Sequence, residues 1–101
     1  MRKIFLNVII LEKVKEFFDM LLDYLNAALK KAKYEILKDE KEKYYAEIPV
    51  CKGVWATGKT LRECRKNLLS TLEGWLIIRL QRKLPIPKIE NYNLKPLKVR
   101  Y

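Results

Sequence analysis

The sequence predicts an α+β domain. A three-stranded antiparallel meander is followed by a long helix and a final edge strand, and an extra amphipathic helix precedes the meander. Three observations carry this reading. Residues 10–32 repeat apolar side chains at alternating steps of three and four, the spacing of one helical face. Residues 34–57 alternate in period two between turn signals. Residues 61–83 return to helical spacing behind "TLRE", a helix-start signature.

In the first helix, Leu11, Val14, Phe18, Leu21, Leu25, Ala28 and Ala32 form the stripe, and Ile10, Phe17, Leu22 and Leu29 broaden it. Such a stripe suits a helix laid on a sheet, with a coiled-coil seam as the alternative. It passes through Met20 without a break, which predicts that residues 1–19 belong to the same helix and argues against Met20 as the start of the protein. "MRKIFLNVIIL" superficially resembles a signal peptide. Asn7 interrupts its apolar stretch, however, and no small-residue cleavage site follows. No stretch approaches transmembrane length, so a soluble cytoplasmic protein without membrane partners is expected.

The meander comprises "YEIL" (34–37), "KYYAEIPV" (43–50) and "GVWAT" (53–57), with "KDEKE" as its first turn and "PVCKG", containing Pro49 and Gly53, as its second. Period two puts Tyr44, Ala46, Ile48 and Val50 on one face and Tyr45 and Glu47 on the other. Trp55 and Thr57 share a face of the third strand.

"GVWATGKT" (53–60) matches the phosphate-binding pattern G-x-x-x-x-G-K-T. Its middle is strand chemistry, Val54, Trp55, Ala56 and Thr57, and bulky Trp55 would stand where backbone must approach phosphate. Too few residues follow for a parallel nucleotide-binding sheet. The stretch instead reads as turn, strand, turn and cap. Gly58 gives the backbone freedom to turn, Thr60 accepts from the Glu63 N–H, and the Glu63 carboxylate reaches back to Thr60. Cys51 and Cys64 stand without a single histidine in the chain, which excludes His-assisted catalysis and Cys/His zinc sites. They read as reduced thiols in a core. No enzyme activity, cofactor or metal is expected.

The second helix turns Leu61, Cys64, Leu68, Leu72, Trp75 and Leu76 to one side. Ile77 and Ile78 fall off that stripe and read either as a second contact surface or as scattered surface hydrophobes. Surplus apolar surface there and on residues 10–32 suggests a homodimer. Gly74 suggests close packing within the helix. "LPIP" (84–87) ends it, and "LKPLKVRY" (94–101) adds the last strand, which Pro96 confines to an edge. The net charge is +10, and residues 61–101 carry seven of those charges. That is the composition of a nucleic-acid or acidic-partner surface, or of a well-solvated lysine-rich one.

Residues 34–87 resemble the HicB antitoxin family. The likeness consists of a tyrosine-rich strand ending in proline, then G-x-x-x-x-G-x-T-x-x-E, then a long helix closed by a proline motif. Pro49, Gly53, Gly58, Thr60 and Glu63 carry it, and "YLNAALKKA" (24–32) resembles its usual lead-in. The chain then divides into residues 1–33, an N-terminal helix whose first 19 residues extend beyond the family pattern, and residues 34–101, a HicB-like βββαβ unit, within one structural domain. The resemblance implies a partial RNase H-like fold without catalytic carboxylates. It also implies binding and neutralisation of a small HicA-like RNA-cleaving toxin by covering its active site. Tyr45, Glu47, Trp55, Ile77 and Ile78 are the candidate partner or oligomer surface. Three departures stand out: Lys59 occupies a position where members often carry an acidic residue, the strongly basic tail is awkward for binding a toxin that is itself usually basic, and no appended DNA-binding domain follows the unit. The alternatives are a nucleic-acid-binding regulator acting through basic residues 61–101, or a HicB-like interaction module without a toxin.

Overall fold

A computed structural model describes residues 2–38, 41 and 43–94. Its elements run α1 (Arg2–Lys30), β1 (Lys33–Ile36), β2 (Tyr44–Glu47), β3 (Trp55–Gly58) and α2 (Leu61–Arg82). This is the predicted α+β class, with one helix before the sheet and a long one after it. The strands form one antiparallel sheet in the order β1-β2-β3, paired Glu35 with Tyr45 and Tyr45 with Thr57. The final edge strand with Pro96 was expected over 94–101, and residues 95–101 lie outside the described residues. Leu94 is buried and belongs to no helix or strand.

The first helix begins eight residues earlier than the stripe alone suggested. No glycine or proline precedes Pro49, so nothing in the sequence interrupts helix between Arg2 and Lys30. At about 1.5 Å per residue α1 is roughly 43 Å long, and the molecule has a long axis of 64 Å. Among the described residues, only its C-terminal part enters the core, through Tyr24, Leu25, Ala27 and Ala28.

The expectation that α1 lies on the sheet is not met. Among the described elements α1 packs on α2 and on no strand. The reason lies in α2, which occupies the inner face over β3 and β2 through Cys64, Leu68, Leu72 and Leu76. Alternation holds beneath it: Ala46, Ile48, Val54 and Ala56 are buried, while Val50 is exposed in the turn rather than inward-facing. Three hydrogen bonds from α2 tie it to β3 and its turn. The Asn67 amide donates to the Thr57 carbonyl at 2.8 Å, the Cys64 thiol to Ala56 at 3.7 Å, and the Trp75 indole to Lys52 at 3.2 Å. Because α2 does not reach β1, Tyr34 and Ile36 stay exposed although they point to the inner side.

Lys83 ends α2 in the left-handed region (φ 54°), its N–H bonded to the Arg79 and Leu80 carbonyls. The following segment folds back over α1. The Tyr24 hydroxyl donates to the Pro87 carbonyl at 2.5 Å, and Ile89 and Leu94 are buried.

Two glycines differ from expectation. Gly58 has no positive φ. A Cβ there would lie 2.8 Å from Cys64 Cα and closer still to its nitrogen, so the residue is small because helix backbone fills the space. Gly74 is not a close-packing site, since a Cβ there meets nothing within 4 Å. Gly74→Ala is therefore expected to stabilise the protein by about 1 kcal/mol, the helix-propensity difference. Gly58→Ala should destabilise it by about 2 kcal/mol or more, as overpacking against backbone does. Urea unfolding followed by circular dichroism measures both.

Candidate functional site

No described helix covers the outer face of the sheet. The pairing register places Lys33 and Glu35 of β1, Tyr45 and Glu47 of β2, and Trp55 and Thr57 of β3 on it together. The Tyr45 and Trp55 rings stack with centroids 6.2 Å apart and an interplanar angle of 23°. The Tyr45 hydroxyl donates to Glu47 Oε2 at 3.2 Å. Trp55 leaves 56% of its surface to solvent on a face that no described helix covers. The result is an aromatic platform flanked by Glu35 and Glu47, with Lys33 directly across from Glu47, which can offer stacking area, hydrogen-bond acceptors and a small excess of negative charge to a partner.

Of the residues singled out by the sequence, Tyr45, Glu47 and Trp55 come together here, whereas Ile77 and Ile78 do not join them. Those two sit on α2, on the other side of the sheet, 54% and 48% exposed. Ile77 helps to line a groove of about 360 Å³ between α1 and α2, together with Phe18, Leu22, Leu25, Leu69 and Leu80. Pro49 and Gly53 (φ 92°) shape the β2–β3 turn, where only glycine is at ease. Thr60 is the N-cap of α2 and accepts from the Glu63 N–H at 3.0 Å; the return bond from the Thr60 N–H to the Glu63 carboxylate is not formed.

A second feature escaped the sequence reading. Lys30 from α1 and Arg62, Arg65 and Lys66 from α2 ring a cleft of about 620 Å³ beside Tyr34, with Leu29 and Leu69 in its floor. The Arg65 guanidinium lies 5.8 Å from the Tyr34 ring centre. The i, i+3, i+4 spacing of the three α2 cations was readable. The approach of Lys30 and Tyr34 depends on helix packing and on the uncovered strand β1, and was not.

The thiols are poorly suited to nucleophilic roles. Both are free and buried, and burial pushes the Cys51 and Cys64 thiols up, which lowers the thiolate fraction. Burial, followed by the neighbouring Cys51, likewise raises the Tyr24 hydroxyl. Among the described residues, no three potential metal ligands come together and no helix is long and apolar enough to cross a membrane.

Among the described residues, a short meander is crossed on one face by a single long helix and leaves its other face open and aromatic, which defines a small α+β module. The sequence profile of the UPF0150-like family matches residues 23–87, and the chain belongs to that family. It is also similar to a solved protein, the crystal structure of TTHA0281 from Thermus thermophilus. The two are 46% identical with a TM-score of 0.68, over 72% of this chain and 89% of that one. A comparison with curated proteins finds no match.

Residues 55–58 of the G-x-x-x-x-G-K-T stretch are strand β3, and Leu61 opens α2, so its backbone does not curl into a phosphate loop. Lys59→Ala is expected to change stability by less than about 0.5 kcal/mol, and Thr60→Ala to cost about 1 kcal/mol through the lost cap. Denaturant titration measures both. ATP binding that disappears with Lys59→Ala would contradict this reading.

Proposed function

We propose that this protein is a cytoplasmic antitoxin of the HicB type. It binds a small, basic, HicA-like RNA-cleaving toxin through the bare outer face of its sheet and covers the toxin's active site. It acts by surface rather than by catalysis, without cofactor or metal, within a partial RNase H-like frame. The observation that carries the reading is the stacked Tyr45–Trp55 pair beside Glu35 and Glu47 on a face left open by the chain's own helices. Tyrosine and tryptophan are the side chains that most often anchor protein interfaces. Carboxylates beside them suit a basic partner and favour its electrostatic steering. Membership of the UPF0150-like family and the motif from Pro49 to Glu63 support the same reading.

The test is co-expression with a small, basic, histidine-containing protein encoded beside it. The wild type is expected to restore growth and suppress RNA cleavage. Trp55→Lys, folded by circular dichroism, should bind the toxin about 30-fold or more less tightly, as loss of an interface anchor does. Undiminished neutralisation by Trp55→Lys would remove this face from the mechanism. A wild type that neither binds nor silences such a neighbour would leave an interaction module without a toxin.

A second reading, a homodimer, rests on the groove between α1 and α2. Its occupant would be the apolar stripe of α1 from a second copy, whose Leu11, Phe18 and Leu22 are more than half exposed. Ile77→Lys combined with Ile78→Lys is expected to stay folded and shift the protein to monomer by light scattering. An unchanged oligomer would clear both residues, and a monomeric wild type at high concentration would end the reading.

A further inference from the structure

We infer that the cleft between the C-terminal end of α1, strand β1 and the first turns of α2 is a binding site for single-stranded nucleic acid. It is separate from the outer sheet face and independent of the antitoxin reading.

The charge placement is the first argument. Arg62, Arg65 and Lys66 stand in the first two turns of α2; Arg62 lies in the first turn, where the helix dipole disfavours a cation, and repels Lys66 at i, i+4, with Glu63 as the acidic residue of that turn. Lys30 reaches the same cleft from the other helix. Among the described residues, none of the four has a carboxylate within salt-bridge reach; the one ion pair there joins Lys31 to Glu90 at 3.8 Å. Apart from the contact of Arg65 with the Tyr34 ring, the described residues offer these cations no partner that offsets their mutual repulsion, and a polyanion would supply one.

The lining is the second argument. Beneath the cations the cleft is apolar, with Leu29, Ala32 and Leu69 in its floor and Tyr34, 40% exposed, in its wall. Tyr34 and Ile36 lie open only because α2 crosses β3 and β2 and stops short of β1. A free inorganic anion has no use for such a floor, and a duplex keeps its bases stacked inside. A single strand presents both chemistries: phosphates for the four cations and an unstacked base for the Tyr34 ring and the leucine floor. At about 620 Å³ the cleft falls within the size range of small-molecule sites, about 300–1,000 Å³, and so is suited to individual nucleotides.

The experiment is fluorescence anisotropy with short labelled oligouridylate and oligothymidylate, and with a DNA duplex of equal length, over a salt series. The wild type is expected to bind both single strands more tightly than the duplex. Its log–log salt slope should approach about −3, from four phosphate contacts at about 0.7 each. Arg62→Ala, Arg65→Ala and Lys66→Ala together should weaken binding at least about 30-fold and flatten the slope to about −0.7. An equal loss of charge elsewhere, Lys52→Ala, Arg82→Ala and Lys88→Ala, should leave affinity within about threefold, since only long-range attraction is lost. Tyr34→Leu should weaken the single strands about tenfold and spare the duplex, as removal of a stacking ring does. Circular dichroism confirms that each variant is folded. The cleft variants should still neutralise a toxin, so failure of one proposal does not imply failure of the other. Absence of single-strand binding at low salt would overturn the inference. So would equal losses in the two charge-removal variants, or a preference for the duplex.

Discussion

The contact between Gly58 and the first turn of α2 sets the rest of the structure. Only Lys59 and Thr60 separate β3 from the helix, so the chain must reverse while strand and helix backbones almost touch. The missing Cβ at Gly58 permits that approach, and the Thr60 cap and the Cys64-to-Ala56 bond hold it. Once the helix starts there, its row of Cys64, Leu68, Leu72 and Leu76 must fall across β3 and β2. Among the described residues, strand β1 is left uncovered by α2 on the inner side, α1 finds α2 rather than the sheet, and no helix covers the outer face.

The two exposed regions that result differ in sign. The outer face carries Glu35 and Glu47 beside its aromatic pair, whereas the inner cleft carries four cations around an apolar floor. A net charge of +10 describes neither. It suggests a protein that would repel a basic partner, yet the sheet separates a face able to accept one from a cleft able to hold a polyanion.

Local signals were legible in the sequence because they act over a few residues. The Thr60–Glu63 spacing marked the start of α2, period two sorted Ala46 and Ile48 from Tyr45 and Glu47, and Gly53 marked a turn that needs positive φ. The outer aromatic pair followed from the same alternation. What was not legible depends on packing. The stripe of α1 says that it must bury one side but not against what, so its docking on α2 was missed. Gly74 illustrates the limit: a mid-helix glycine reads as a close contact, and only coordinates show open space beside it. The cleft drew on Lys30 and Tyr34, whose approach no spacing in the sequence encodes.

The bond from Tyr24 to Pro87 spans 63 residues of chain. During synthesis α1 emerges well before the segment that covers its buried end, with Ile89 and Leu94. The meander and α2 close over short separations and can form before that loop is complete. Until then the apolar end of α1 is covered on one side only, by α2. The segment beyond α2 thus completes the cover of the buried end of α1 after the rest of the fold can form.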